Sequence, residues 1–329
     1  MIIQLEPQIG QQAQAALEAQ LRELGLQPRE VLTQAGHYLV AICKKPLDIR
    51  KIGSLPGVRD VHRVTDDYKL VSKKWKIAPT AIDLPGDVRI EAGGLSIMAG
   101  PCSIEDEKQI RATLAHPREQ GIRIMRGGVY KPRSSPYSFR GLGLEGLQLW
   151  AELAREYDIR IISEVMQVSQ IDEMYPYVDI FQVGARNTQN FNLLDALGEI
   201  DKPVMIKRGI SGTIEELLQS AEYVFSGGNE KILLCERGIR TYETAYRNTL
   251  DVNAIAMLKA KSHLPVVADP SHGIGLRAFV EPIALAAVMA GADGIIYEVH
   301  PTPGKAASDA QQTLSFPESA ALVRKMRLA

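Results

Sequence analysis

Cysteine is scarce in this 329-residue chain: Cys43, Cys102 and Cys235 are odd in number and far apart, which excludes a disulfide framework and leaves each thiol needing another explanation. An excess of either charge is missing too. With 38 Lys and Arg against 39 Asp and Glu, the formal net charge is -1, so a generally basic nucleic-acid binder is excluded. A composition of 45% hydrophobic and 23% charged residues excludes a disordered chain. No uninterrupted apolar run reaches membrane-spanning length, since the longest candidate, Pro282 to Val299, holds Asp293, Glu298 and two glycines. Met1-Ile-Ile-Gln-Leu-Glu6 lacks a basic start and a cleavable apolar segment, so no export signal is expected and the cytoplasm follows by default. At about 150 residues per domain, the length fits two domains or one large α/β barrel with an appendage.

Residues 1–65 alternate short strand and helix patterns. Ile2 to Leu5 opens as a strand, and Ala13, Leu17, Leu21 and Leu24 recur at helical spacing until Gly25. Glu30 to Thr33 and Tyr38 to Cys43 read as strands joined through Gln34-Ala35-Gly36-His37, a glycine-containing link suited to a hairpin. Asp48 is placed to cap a short helix through Ile52 and Leu55, and Val61 and Val64 mark a last strand. The resulting order, βαββαβ, predicts a small ferredoxin-like domain. It carries no cluster of catalytic residue types, so sensing, oligomer contact or plain stabilisation of the assembly are the roles open to it. The basic stretch Lys69 to Lys76 joins it to the remainder, with residues 66–92 read as linker and barrel-capping segment.

From Gly93 on, eight β-branched runs alternate with helical stretches: Leu95–Ala99, Ile122–Met125, Ile159–Ile162, Ile180–Val183, Pro203–Ile206, Ile232–Leu234, Pro265–Ala268 and Ile295–Tyr297. Leu144 to Tyr157 illustrates the intervening helices, with Leu147, Trp150, Ala151 and Leu153 on one apolar face. Eight such units in residues 93–329 predict a (β/α)8 TIM barrel, whose usual size is about 250 residues. An open doubly wound sheet is the alternative, but Ala99-Gly-Pro-Cys102 lacks the glycine fingerprint of a dinucleotide site.

Polar residues follow each run: Cys102, Arg126, Glu164, Arg186, Lys207, Glu236 with Arg237, Asp269 with His272, and Glu298. In a barrel these converge at the C-terminal mouth, where active sites form. Arg126, Lys131, Arg133, Arg186, Lys207 and Arg237 there would repel one another unless anions occupied the cleft, and phosphate and carboxylate suit them. One or two would pair with carboxylates such as Glu164 and Glu236 instead. Cys102, His272, Glu298 and Asp309 come from the first, seventh and eighth strand ends and the last loop, which become neighbours on closure. A thiolate, an imidazole and two carboxylates suit a divalent transition metal such as Mn, Fe or Zn. Taken singly, Cys102 reads as a small buried hydrophobe and His272 as a loop hydrogen-bonder. Cys43 and Cys235 read as strand core, and His37, His62, His116, His263 and His300 show no converging partner.

Ala99-Gly-Pro-Cys-Ser103, Arg126-Gly-Gly128, Lys131-Pro-Arg-Ser-Ser-Pro-Tyr-Ser-Phe139, Gly184-Ala-Arg-Asn187, Lys207-Arg-Gly209, Cys235-Glu-Arg-Gly238, Asp269-Pro-Ser-His272 and Glu298-Val-His300 together resemble the 3-deoxy-D-arabino-heptulosonate 7-phosphate (DAHP) synthases, in particular the beta-type subgroup of type I. The resemblance implies condensation of phosphoenolpyruvate (PEP) with erythrose 4-phosphate and water, the first step of the shikimate pathway. It implies a divalent ion, Mn, Fe, Zn or Co, on Cys102, His272, Glu298 and Asp309. It puts Arg126, Lys131, Ala185, Arg186, Lys207, Arg237 and His272 against substrate, and Arg133 with Ser134 on the phosphate of erythrose 4-phosphate. Lys131, Cys102 and His272 are the expected catalytic residues, with Lys131 the proton donor to the developing alkoxide. The resemblance also implies a homotetramer inhibited by tyrosine or phenylalanine bound between paired front domains held over the barrel mouth.

Ser134 where threonine is usual, Arg140 in place of a neutral residue, the Gly273-Ile-Gly275 loop and Ala310 depart from the family pattern without deleting a catalytic group. Three rival readings stand. A 3-deoxy-D-manno-octulosonate 8-phosphate synthase shares the barrel and chemistry but usually differs at 131–139. A barrel aldolase would use Lys207 for a Schiff base. A non-enzymatic sensor would have lost catalysis.

Overall fold

The structure is a computed structural model that describes every residue except 43–46, 132–136 and 138. Cys43, Arg133 and Ser134 therefore lie outside the described residues.

The front module comprises β1 (Ile2–Leu5), α1 (Gln11–Glu23), β2 (Gln27–Leu32), β3 (His37–Ile42), α2 (Ile49–Gly53) and β4 (Val58–His62). Its antiparallel sheet has the order β2-β3-β1-β4, the strand order of the expected ferredoxin-like fold. Alternation along each strand divides its two faces. Ile3, Leu5 and Leu39 join Leu17 and Leu21 of α1 and Ile52 of α2 in a core of their own. Ile2, Val31 and Tyr38 face the opposite way and merge with the core of the main body. Asp48 caps α2 by accepting from Arg50 N, as expected. Two expectations shift: β2 starts at Gln27 because it pairs with β3 along its whole length, and Val64 lies beyond β4, buried in the same core as Tyr68 and Leu70.

The stretch from Lys69 to Lys76 holds more than charge. Trp75 meets Tyr38 and His263 in T-shaped contacts, with ring centroids 5.3 and 5.9 Å away, and its Nε1 donates to Leu70 O at 2.7 Å. A short hairpin follows, β5 (Ile82–Leu84) and β6 (Val88–Ile90). Its Ile82, Leu84, Val88 and Ile90 pack onto the barrel's inward residues and seal the end where the strands begin.

The barrel strands are β7 (Ser96–Gly100), β8 (Ile124–Gly127), β9 (Arg160–Val165), β10 (Ile180–Val183), β11 (Val204–Lys207), β12 (Ile232–Glu236), β13 (Val266–Ala268) and β14 (Gly294–Glu298). All eight pair in parallel, and β14 closes on β7 with Glu298 opposite Gly100. Each expected run forms one of them. Helices α3 (Glu107–Glu119), α4 (Gly143–Glu156), α5 (Gln170–Met174), α6 (Phe191–Gly198), α7 (Ile214–Ser226) and α8 (Val252–Lys261) link the strands. Burial of Leu147, Trp150, Ala151 and Leu153 places α4 by the apolar face read from its sequence. The Gly273-Ile-Gly275 segment, expected as a loop, is instead the end of a short helix α9 (Pro270–Ile274), stopped by Gly275 at φ +71°. Helices α10 (Arg277–Met289) and α11 (Phe316–Met326) complete the fold.

The front module grips the turn before β12. Thr33 Oγ1 and Ala35 N donate to Glu230 Oε1 at 2.9 and 3.0 Å, and Lys76 Nζ reaches Glu230 Oε2 at 3.4 Å. That turn lies at the strand-start end of the barrel. Within its own chain the module thus stands away from the mouth, so cover over a mouth would have to come from a second copy or from displacement.

Of the five histidines read as showing no converging partner, four have one in the fold, whereas His300 Nε2 is buried without a hydrogen-bond partner among the described residues. His37 pairs with Glu30, His62 with Asp60, His116 with Ser319, His263 with Thr80, and His300 faces Glu105 at 3.5 Å. Each partner is distant in sequence or needs strand geometry to be brought close.

Candidate active site

The side chains at the mouth follow from strand parity. Met98, Ile124, Ile162, Ile180, Met205, Cys235, Val267 and Ile296 fill the barrel interior. Two residues further along each strand, the same inward direction recurs. Those positions hold Gly100, Arg126, Glu164, Gln182, Lys207, Arg237, Asp269 and Glu298. The apolar interior is therefore capped by one polar layer. Gly100 supplies no side chain because any Cβ there would overlap the Arg126 carbonyl. The opposite parity explains Arg208 and Glu236, which point away from the interior and pair with each other at 2.9 Å.

One cavity lies over this layer, lined by Cys102, Arg126, Lys131, Ala185, Arg186, Lys207, Arg237, His272 and Asp309 among others. With Glu298 buried beneath them, these are all the expected site residues that the structure describes. Residues the sequence reading missed also line it: Gln182, Ile210, Arg240, Arg247 and Asn248. Period-two alternation singles out Gln182 two residues beyond Ile180; the others sit on loops with no such signal.

Charge is arranged unevenly. Arg126 donates to Glu298 Oε1 at 3.0 Å and to Pro101 O at 2.8 Å, while Lys207 donates to Asp269 Oδ2 at 2.6 Å. The carboxylates that neutralise cations are thus Glu298 and Asp269, a correction to the expected Glu164 and Glu236; Glu236 is taken up by Arg208. Among the described residues, Arg186, Arg237 and Arg240 have no carboxylate partner within ion-pair distance. Burial, only partly offset by Asp269, lowers the pKa of Arg237. An anion in the cavity would relieve that cost.

On the other side, Cys102, Glu298 and Asp309 each offer a ligand atom within 4.8 Å of one another. His272 Nε2 lies 3.6 Å from Glu298 Oε1 and 3.8 Å from Asp309 Oδ2. Nδ1 of the same ring donates to Asp269 at 2.8 Å, which fixes the tautomer and leaves the Nε2 lone pair for a metal. Burial, and after it the Glu298 carboxylate, push the Cys102 thiol up to about 11, and it donates to Asp309 Oδ2 at 3.3 Å. Lys131 Nζ approaches the same sulfur at 3.4 Å. A divalent cation would displace that proton and convert the cluster into a thiolate, imidazole and carboxylate ligand set. Asp309 holds this place in a left-handed backbone conformation, φ +54°, a strain that a functional position tolerates.

Residues 78–327 match the DAHP synthetase I family. The phospho-2-dehydro-3-deoxyheptonate aldolase of Thermotoga maritima is 49% identical over 277 residues, covering 84% of this chain and 82% of that protein. A 2-dehydro-3-deoxyphosphooctonate aldolase of Acidithiobacillus ferrooxidans is 32% identical over 232 residues, covering 65% of this chain and 81% of its own length. A crystal structure of the Thermotoga maritima phospho-2-dehydro-3-deoxyheptonate aldolase (DAHP synthase) superposes with a TM-score of 0.79 at 42% identity, covering 99% of this chain and 96% of that one. With its eight-stranded barrel and this polar mouth, the chain belongs to the DAHP synthetase I family.

Proposed function

We propose that this enzyme condenses PEP with erythrose 4-phosphate and water to give DAHP and inorganic phosphate. The observation that carries the reading is a cavity that sets Arg186 and Arg237, guanidinium groups without carboxylate partners among the described residues, beside a cluster of Cys102, His272, Glu298 and Asp309. The first half suits a phosphorylated anion, the second a divalent cation.

Arg186, Lys207 and Arg237, with Ala185 beside them, hold the PEP phosphate, and Arg126 and Lys131 bring positive charge to the remainder of PEP. Arg133 and Ser134 take the phosphate of erythrose 4-phosphate. Fixing both substrates at attacking distance removes most of the entropic cost of their encounter. Cys102, His272, Glu298 and Asp309 would hold a divalent ion of the Mn, Fe, Zn or Co type that such donors favour, and that ion would supply Lewis-acid chemistry to the aldehyde. Carbon 3 of PEP bonds to the aldehyde carbon, and Lys131 Nζ gives a proton to the oxygen that becomes the alkoxide. Water adds at carbon 2 as positive charge develops there and gives up a proton that replaces the one Lys131 donated; the carbon 2 hydroxyl proton then passes to the departing phosphate as the bond from carbon 2 to the phosphate oxygen breaks, leaving the ketone. A Schiff base at Lys207 is disfavoured because its Nζ is buried and already engaged by Asp269 Oδ2 at 2.6 Å.

Residues 1–65 form the regulatory domain in this reading, 66–92 a linker and barrel-capping segment, and 93–329 the catalytic barrel. The sealing hairpin at 82–90 supports that division. Tyrosine or phenylalanine is the proposed effector, in a cytoplasmic homotetramer. No helix among the described residues is long and apolar enough to cross a membrane, and no nucleic-acid or membrane partner is part of this reading.

Phosphate release from PEP tests the reading, with erythrose 4-phosphate or arabinose 5-phosphate, before and after EDTA and with Mn2+ restored. Release with erythrose 4-phosphate that EDTA abolishes and Mn2+ restores is expected. Release with arabinose 5-phosphate instead would assign the octulosonate reaction, and indifference to metal removal would leave Cys102 and His272 without their role. Deleting residues 1–65 should abolish inhibition by tyrosine or phenylalanine; unchanged inhibition would refute the effector proposal.

A further inference from the structure

Gln312 is fully buried, and both ends of its amide are committed. Its Oε1 accepts from Arg247 Nη1 at 2.7 Å, and its Nε2 donates to Glu298 Oε2 at 2.8 Å. A reversed amide would set NH2 against a guanidinium and an oxygen against a carboxylate, so the two contacts fix its orientation. Arg247 also donates to Asp309 Oδ1 at 3.3 Å. Backbone geometry keeps the pieces together, since Gln312 N donates to Asp309 O at 3.1 Å.

The consequence is a strap running from the segment between β12 and α8 onto both carboxylates of the cluster. On each carboxylate the strap ties one oxygen and leaves the other to the remaining groups, which for Glu298 Oε1 include Arg126 Nη1, donating at 3.0 Å. Glu298 Oε1 is turned to His272, and Asp309 Oδ2 to Cys102 and His272. Neither strap residue is a charge-bearing metal donor itself: Gln312 is neutral and Arg247 cationic.

We propose that Gln312 and Arg247 are positioning residues for the bound divalent cation, setting which oxygen of Glu298 and of Asp309 it meets. This rests on the metal reading above. Outer partners of metal ligands act by fixing ligand orientation, and their loss commonly weakens metal binding by about 10–100-fold. Gln312 should carry more of the effect, because among the described residues it alone holds Glu298 Oε2, whereas Arg247 acts on Glu298 only through it.

The test is Mn2+ affinity of the full chain, measured by competition with a fluorescent chelator, for the native protein, Gln312→Met, Arg247→Gln and the double variant. Circular dichroism in EDTA reports folding. Co2+ absorption, in the region where thiolate-to-metal charge transfer falls, reports geometry at Cys102. Gln312→Met should weaken Mn2+ binding by about 10–100-fold and shift the Co2+ bands. Arg247→Gln should weaken it less, and the double variant should lose less than the product of the single losses, because both changes cut one strap. Native Mn2+ affinity in a folded Gln312→Met protein would overturn the proposal. If that variant does not fold, native affinity and an unaltered Co2+ spectrum in Arg247→Gln would overturn it. Cys102→Ser separates the two levels. If it abolishes Mn2+ binding and the strap variants do not weaken it, the positioning role alone fails; if Mn2+ binding ignores Cys102, the metal reading falls and the positioning role with it.

Discussion

His272 Nδ1 donates to Asp269 Oδ2 at 2.8 Å, and that same oxygen accepts from Lys207 Nζ at 2.6 Å. Burial by itself would raise the Asp269 carboxyl, but His272 and Lys207 hold it well below the usual carboxylate range. One carboxylate thus orients a proposed metal ligand and neutralises a proposed substrate cation. Asp269→Asn removes both services. The variant should lose about 3–5 kcal/mol, the usual result of leaving a buried charge without its partner, and bind Mn2+ about 10–100-fold more weakly. Denaturant melts in EDTA and a metal titration read the two effects separately; a variant as stable as the native protein would show that Lys207 finds another partner.

Lys131 stands 3.4 Å from the Cys102 sulfur at the edge of the cluster. As the proposed proton donor it should matter to the chemical step. Lys131→Met is expected to slow single-turnover DAHP formation by about 10²–10⁴-fold. Near-native turnover in that variant would remove Lys131 from the mechanism.

Arg126 and Glu298 form a buried pair through the carboxylate oxygen that also faces His272. Arg126→Gln leaves Glu298 buried without a counter-charge, so the EDTA-treated variant should lose about 3–5 kcal/mol. A divalent ion would replace the missing charge. The rise in melting temperature on adding Mn2+ should therefore be larger in the variant than in the native protein; an equal or smaller rise contradicts a metal bound at Glu298.

His263 is buried between Thr80, which it meets at 2.7 Å, and the Leu70 carbonyl at 2.8 Å. Burial lowers its pKa from 6.5 to about 4. The unfolded chain therefore binds a proton that the folded chain refuses between these values. Stability from this group is complete above about pH 6.5 and is lost as pH falls toward 4, by about 3 kcal/mol in all. His263→Gln should be less stable at pH 7 yet lose less on going to pH 4.5. Urea titrations of both proteins at the two pH values decide it, and parallel losses would place the acid sensitivity elsewhere.

Glu230 is the anchor of the front module, receiving Thr33, Ala35 and Lys76. Glu230→Ala strands those donors without touching the barrel mouth. Limited proteolysis should then cut more rapidly in the segment joining the module to the barrel, with the barrel fragment resistant. An unchanged cleavage rate would mean that the Tyr38 and Trp75 contacts hold the module unaided.

Much of this enzyme was legible from local pattern. Runs such as Ile232–Leu234 are short, apolar and bounded by turns, so the strands and their number follow from chain chemistry alone. Parity then carries further than element boundaries do. The alternation that buries Met205 and Cys235 also aims Lys207 and Arg237 at one mouth, so convergence of the cations follows once the sheet closes. The βαββαβ order of the front module was equally local, resting on Gly25 as a helix stop and Asp48 as a cap.

Pairing was not local, and there the sequence reading named the wrong carboxylates. Whether Arg126 meets Glu164 or Glu298 depends on β14 closing against β7, a contact spanning most of the barrel. Gln312 carries no charge and matches no motif, and only the tertiary structure shows its amide between Arg247 and Glu298. Trp75, hidden in a basic run, becomes an anchor because Tyr38 and His263 are brought to it from distant segments. The sequence by itself determined the elements and the direction of each side chain, since both follow from periods of 3.6 and 2 along the backbone. Only the tertiary structure decided which charges neutralise one another and which are left for ligands, because that depends on distances between strands far apart in the chain.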